Sequence, residues 1–178
     1  MVPHIQTFEF KERANIFTGM FHEKESIKAD LISCIKEQGD QQYHKTNVKA
    51  DMTRWTMYDN PHFKKIIDFA IELLEEGLDP VPQGNFYATD CWGAIYKRGG
   101  ETLPHAHHPA LWSFCYYVDA SEECAPLVFP TAERAIQPEP GLIVIFPGWV
   151  THMVPIQETD FERVIVSGNL TMERPQAT

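Results

Sequence analysis

The stretch His105-Ala106-His107-His108, placed just after Gly99-Gly100, is answered 45 residues after His107 by a lone His152. In an extended strand successive side chains alternate faces, so His105 and His107 project to one side about one pleat apart. With His152 delivered by a distant strand, the three would close a mononuclear metal site of neutral imidazoles. Such a set suits Fe(II), Zn, Mn, Cu or Ni and leaves positions open for water or substrate, the pattern of a catalytic rather than a structural site. An H-x-H pair is weak by itself, because histidine-rich turns also occur as plain surface loops. His108, next to Pro109, points away from the pair and reads as structural. His4, His22, His44 and His62 lie in the helical half without partners and read as surface or cap residues.

The second half of the pattern strengthens the first. Pro140-Gly141 precedes an apolar run, Phe146-Pro147-Gly148-Trp149 makes a turn, and His152 follows; Arg163 comes 11 residues later at the head of an apolar strand. A guanidinium facing inward there needs a partner, and its planar fork matches a carboxylate bidentately. The alternative is a strand-start arginine paired at the surface with Asp160 or Glu162.

These residues need a scaffold, and the chain is expected to supply one domain over 1–178, with 43% hydrophobic content and no break in composition. Residues 1–80 read as a mostly helical flank and residues 81–172 as a β core. Ile5 to Phe10 is compatible with a short strand. Glu23 to Gln38 reads as a helix burying Ile27, Leu31, Cys34 and Ile35, with Gly39 at its end. Gln41 to Asp59 is irregular, anchored by Trp55 and Met57. A second helix starts at Asn60-Pro61, carries Phe63, Ile66, Ile67, Ala70, Ile71, Leu73 and Leu74 as a wide apolar stripe, and stops at Gly77.

After Pro80 the texture turns to β. Candidate strands are Phe86 to Tyr96, the segment around His105, Trp112 to Val118, Leu127 to Phe129, Leu142 to Phe146, Thr151 to Pro155, and Arg163 to Leu170. Alternation in the third puts Trp112, Phe114, Tyr116 and Val118 on a core face and Ser113, Cys115 and Tyr117 on a face that can line a cavity. Leu142 to Phe146 has no polar alternation, as expected of a strand covered on both sides. The expected class is mainly β with N-terminal helices, folded as a double-stranded β-helix, that is, a jelly-roll or cupin-like barrel.

The arrangement resembles the Fe(II) and 2-oxoglutarate dependent oxygenases, whose double-stranded β-helix carries H-x-(D/E), a distal His, and an Arg or Lys about ten residues further on. The corresponding residues here are His105, His107, His152 and Arg163. The stretches W-G-A-I-Y-K-R-G-G, H-A-H-H-P, S-F-C-Y-Y-V, F-P-G-W-V-T-H and R-V-I-V-S-G-N, between Trp92 and Asn169, are similar to small phage and marine-bacterial oxygenases related to prolyl hydroxylases. The resemblance implies Fe(II) and 2-oxoglutarate as cofactor and cosubstrate, with Arg163 holding the far carboxylate and Tyr96 touching it. It implies oxidative decarboxylation to succinate and carbon dioxide, coupled to hydroxylation of a small-molecule or peptide substrate. The chain departs from the family in having His107 where a carboxylate is usual, and Ile165 two positions after the arginine, where Ser is frequent; Ser167 or Asn169 can take its part. Tyr117, Trp149 and the Gly99 to Pro104 loop are candidates for lining the pocket.

Two other readings compete. Gly99, His105-x-His107, Gly141, Pro147 and His152 also follow cupin spacing, although the cupin Glu is absent, with Leu111 and Trp112 in its places. That leaves a cupin-type three-histidine metal dioxygenase without cosubstrate, and, in another class, a non-catalytic β-barrel binding or structural protein with a vestigial metal site. A formal net charge of −10 argues against nucleic acid. Four cysteines without C-x-x-C spacing read as free thiols in a reducing, cytoplasmic setting; apolar runs are too short to span a membrane; exposed sheet edges would permit a homodimer.

Overall fold

The computed structural model describes residues 12–39 and 46–173. The strand expected at Ile5 to Phe10, and His4 and His44, lie outside these residues.

Strand β1 (Phe17–Met20) leads into helix α1 (Lys24–Gln38). Ile27, Leu31 and Ile35 recur at four-residue steps and are buried, and Cys34 is half-buried beside them. Gly39 ends the helix in a right-handed conformation, φ −70°. Two short strands follow, β2 (Val48–Lys49) and β3 (Asp51–Met52), then a 3-10 turn at Met57–Asp59 with Met57 fully buried. Helix α2 (Pro61–Gly77) begins as its sequence requires. The Asn60 Oδ1 accepts the backbone N–H groups of His62 at 2.9 Å and Phe63 at 3.5 Å, and Pro61 occupies a position where no N–H is needed. Phe63, Ile66, Ile67, Ala70 and Leu74 bury its stripe.

The β half then runs through β4 (Asn85–Tyr96), β5 (Glu101–His105), β6 (Trp112–Asp119), β7 (Leu127–Phe129), β8 (Arg134–Ile136), β9 (Leu142–Pro147), β10 (His152–Val154) and β11 (Arg163–Glu173). All seven strands read from the sequence are present. The four additional ones, β1, β2, β3 and β8, have at most four residues each, too few for a periodic signal.

The expected double-stranded β-helix is corrected by the pairing of these strands. They form two antiparallel sheets, one ordered β1-β9-β6-β11-β4-β3 and the other β2-β5-β10-β7-β8. Among the described residues no ladder joins the sheets, so neither a jelly roll nor a cupin-like barrel closes, and β1, β3, β2 and β8 remain edges. With two long helices, the class is mixed α/β rather than mainly β. Strand count and turn spacing suit an open pair of sheets as well as a closed barrel, and the pairing that separates them leaves no mark in periodicity.

The large sheet divides two apolar layers. On its outer face Phe86, Phe114, Tyr116, Ile143, Ile145, Val164 and Val166 pack with the helical residues Ile35, Phe63, Ile66 and Leu74. On its inner face Ala94, Tyr96, Cys115, Tyr117, Val144, Phe146 and Ile165 meet Leu127, Phe129 and Val154 of the small sheet. The β6 alternation read from the sequence is thus realised, and β9 is apolar throughout because both its faces are covered. No helix among the described residues is long and apolar enough to cross a membrane. The four cysteines are free thiols. Replacing the cap, Asn60→Ala, should cost about 1 kcal/mol of stability, read as a lower urea midpoint with an unchanged slope.

Candidate metal centre

The three histidines meet between the sheets, at the ends of β5 and β10. His105 and His152 are direct partners in the β5–β10 ladder. Their ring centroids lie 4.3 Å apart, with His107 at 4.8 Å from His105 and 5.0 Å from His152. One ligand nitrogen from each ring falls within 4.8 Å of the others, and the Nε2 atoms of His107 and His152 are 3.3 Å apart.

His107 arrives by a route the pleat argument did not foresee. Strand β5 stops at His105, and His107 sits in the following turn, donating its backbone N–H to the Gly148 carbonyl at 2.7 Å. Gly148 is required there: a Cβ would overlap the Ala110 carbonyl oxygen. The Phe146-Pro147-Gly148-Trp149 turn therefore seats His107 as well as sending the chain towards His152.

The tautomers follow from the partners. His105 Nδ1 is 2.8 Å from the Leu103 carbonyl, and His152 Nδ1 is 3.1 Å from that of Val150. A carbonyl only accepts, so Nδ1 carries the proton in both rings and each Nε2 keeps its lone pair, the arrangement a metal ligand needs. Burial pushes the His107 pKa down to about 4, with His105 adding to the effect and Asp90 opposing it. Burial, and then the charge His105 would carry, push His152 down to about 3. His105 is lowered by burial against the pull of the Leu103 carbonyl. All three rings are thus neutral at neutral pH.

A second irregularity completes the inner wall. His152 pairs with His105 but Val154 pairs with Thr102, so β5 carries one residue more than β10 over this stretch. Pro104, which has no N–H to give a ladder, lies within the extra length. Thr102 and His105, an odd number of positions apart, consequently line the same cavity. The Thr102 hydroxyl is 2.7 Å from that of Tyr96.

Arg163 lies at the back of that cavity with 0% exposure. Tyr96, its ladder partner across β4 and β11, places its ring 4.9 Å from the guanidinium carbon, and Tyr117 places its ring at 5.0 Å. Nε, Nη1 and Nη2 have no hydrogen-bond partner, and neither does the Tyr117 hydroxyl. The surface alternative is closed off because the nearby acids are engaged elsewhere: Asp160 with Arg98 at 2.6 Å and Glu162 with Lys36 at 2.9 Å. Gln157, itself buried, ties down the approach to β11, accepting from Ala125 N–H and donating to the Phe161 carbonyl. Its backbone bonds the Gly99-Gly100 turn from both sides.

Two cavities share His105 and His107. The inner one, about 40 Å³, also contains Tyr96, Thr102, Cys115, His152, Arg163 and Ser167. The outer one, about 330 Å³, is lined by Trp55, Asp90, Trp92 and Asn169 among others. Of the residues singled out in the sequence, Tyr96 and Ser167 lie with Arg163, and Asn169 lies on the outer side. Tyr117 touches Arg163 from behind. Trp149 is 41% exposed and lines neither cavity, and His108 is exposed. Thr102 and Asp90 had no signal in the sequence, since each acquires its place only through a bulge or a cross-strand neighbour.

No protein-family model and no curated protein matches the chain. Solved structures do. A prolyl-4-hydroxylase from Pseudomonas putida aligns with a TM-score of 0.68 over 90% of this chain and 94% of its own, at 16% identity. The viral collagen prolyl hydroxylase of Paramecium bursaria Chlorella virus-1, in complex with 2-oxoglutarate, aligns with a TM-score of 0.64 over 86% of this chain and 95% of its own, also at 16% identity. HygX from Streptomyces hygroscopicus, with iron bound, aligns at 0.63 over 89% and 82%, at 10% identity. The chain shares its overall fold with these three proteins. The resemblance read from the motifs therefore holds at the level of this oxygenase fold, and the histidine cluster gives the chain a site suited to a metal, with a third imidazole where that family's pattern has a carboxylate.

Two measurements test the centre. His152→Ala should abolish stoichiometric Co(II) binding followed by visible absorption, whereas His62→Ala, half-buried at the start of α2 and lining neither cavity, should leave it intact. Because burial lowers the pKa of all three rings, the loss of affinity on acidification should begin at a lower pH than for unburied histidines, which lose affinity from about pH 6.5.

Proposed function

We propose that this protein is a metal-dependent oxygenase in which His105, His107 and His152 hold iron(II) and Arg163 takes the far carboxylate of 2-oxoglutarate, acting as a hydroxylase on an organic substrate. The observation that carries the reading is the buried guanidinium with three unpartnered nitrogens in the same cavity as the three imidazoles. A cation so placed is costly unless an anion joins it, and a carboxylate fits its fork. The donor set also fits the metal: three neutral imidazoles, of which His105 and His152 keep Nε2 unprotonated through their Nδ1 bonds, favour a divalent first-row ion. When bound, the metal supplies the activation of dioxygen, coupled to oxidative decarboxylation of the oxo acid.

The chain's own residues supply position and dryness. The rings of Tyr96 and Tyr117 flank the guanidinium carbon at 4.9 and 5.0 Å and hold the cation in place. The paired hydroxyls of Tyr96 and Thr102 offer a further donor, and Ser167 lies on the same wall. Leu127, Phe146, Val154 and Ile165 exclude water around them. The carbonyls of Leu103 and Val150 fix two of the ligand rings before anything binds.

One observation favours a second reading, a three-histidine metal dioxygenase that needs no cosubstrate. Among the described residues no carboxylate joins the histidine cluster, so the ligand set is entirely neutral. Anaerobic titration of the Fe(II) protein with 2-oxoglutarate separates the two. The oxygenase reading expects a visible charge-transfer band that saturates with the oxo acid, disappears in Arg163→Met and survives in His62→Ala. No band at saturating oxo acid, with iron bound, would select the cosubstrate-free reading.

A further inference from the structure

The outer cavity has a polarity of its own. Arg163 makes the inner cavity cationic at its far end, with no carboxylate among its lining residues. The outer cavity contains Asp90 and, among the described residues, neither lysine nor arginine. At about 330 Å³ it is of a size that takes a small organic group, and His105 and His107 form part of its wall.

Asp90 is held in a set orientation. Ser113, which is buried, donates its hydroxyl to Asn169 Oδ1 at 2.9 Å, fixing the amide so that Nδ2 donates to Asp90 Oδ2 at 3.4 Å. The Thr89 hydroxyl donates to the same oxygen at 2.9 Å. Both bonds fall on Oδ2; among the described residues Oδ1 accepts none, and no lysine or arginine pairs with the carboxylate. Trp92, two residues along β4 and so on the same face, stands beside it. Its ring lies 6.4 Å from that of Trp55 and 6.1 Å from that of His107. The Trp55 backbone is fastened to β4 by its carbonyl, which accepts the Cys91 N–H at 2.8 Å. A carboxylate with one free oxygen beside two indoles is the chemistry that recognises an organic cation, through charge on one side and the ring faces on the other.

We infer that the outer cavity binds the substrate by an alkylammonium group, with the charge on Asp90 and the alkyl portion against Trp92 and Trp55. The assignment rests on the oxygenase reading for the word substrate, while the cation site itself stands on the cavity. Opposite polarities on the two sides of the histidines sort the two ligands: an oxo acid is drawn to Arg163 and repelled by Asp90, and an amine the reverse. The net charge of −10 adds a long-range preference for cations on approach.

Butylammonium and its neutral counterpart butan-1-ol test this on the full chain loaded with redox-silent Zn(II), by tryptophan fluorescence and calorimetry. Butylammonium should bind about tenfold or more tightly than butanol, lose about tenfold in Asp90→Asn, and recover in Asp90→Glu. Equal binding of the two probes, or an Asp90→Asn protein that binds butylammonium like the unsubstituted chain, would overturn the inference. Should Asp90→Asn not fold, the probe comparison on the unsubstituted protein decides alone. Binding of 2-oxoglutarate is measured in parallel. If the oxo acid binds and butylammonium does not, this inference fails and the proposed function stands; if butylammonium binds in an Asp90-dependent way and the oxo acid does not, the proposed cosubstrate fails and the cation site stands.

Discussion

The constraint on which the site depends is a charge that cannot be shed and is not neutralised by the chain. The Arg163 guanidinium stays protonated at any accessible pH, sits fully buried between two sheets, and packs against the rings of Tyr96 and Tyr117 with the Cys115 thiol nearby. A buried charged group left short of hydrogen bonds costs at least about 1–3 kcal/mol, so the surroundings must hold it against its tendency to swing outward. They do so by pairing. Strand β11 is flanked by β4 and β6, Tyr96 lies opposite Arg163 in the ladder, and Gln157 fixes the preceding loop. The acids that would draw the side chain outward are occupied by Arg98 and Lys36.

The site needs only part of the architecture. Strands β5 and β10 of the small sheet bring His105 and His152, the adjoining turns bring His107, and β4 and β11 of the large sheet bring Tyr96 and Arg163 across the shared apolar layer. Closure of one sheet on the other is unnecessary, because the packing of Phe146, Leu127 and Ile165 between the layers already fixes their separation. This is how a chain with 10–16% identity to these solved structures can share their fold. Side-chain identity is demanded at few places, and elsewhere bulk and alternation suffice.

Much of this was legible in the sequence. Asn60-Pro61 and the apolar stripe announced α2, the alternation of β6 divided its core face from its cavity face, and the types and spacing of His105, His107, His152 and Arg163 anticipated the cluster and the buried cation. What was illegible depended on partners distant in the chain. The short strands β1, β2, β3 and β8 exist because a neighbour offers them a ladder, not because their own residues demand one. The same gap produced the mistaken barrel, since closure depends on which edges pair. Thr102 and Asp90 were missed for a related reason: each looks like an ordinary strand residue until Tyr96 or Asn169 is set beside it.

The extra residue in β5 gives chain length a meaning that residue identity lacks. Side chains on a strand alternate, so the parity of the interval between two positions decides whether they share a face. Thr102 and His105 are separated by an odd interval and share a cavity only because the ladder with β10 slips by one between them. The segment Leu103-Pro104 is exposed, and many side chains would be accommodated there. Evolutionary drift by substitution can pass through this segment freely, and a single deletion would only remove the bulge: the interval would become even, equal to that from His152 to Val154, and a regular ladder would keep the hydroxyl that meets Tyr96 and the imidazole that meets His152 on one side of the sheet.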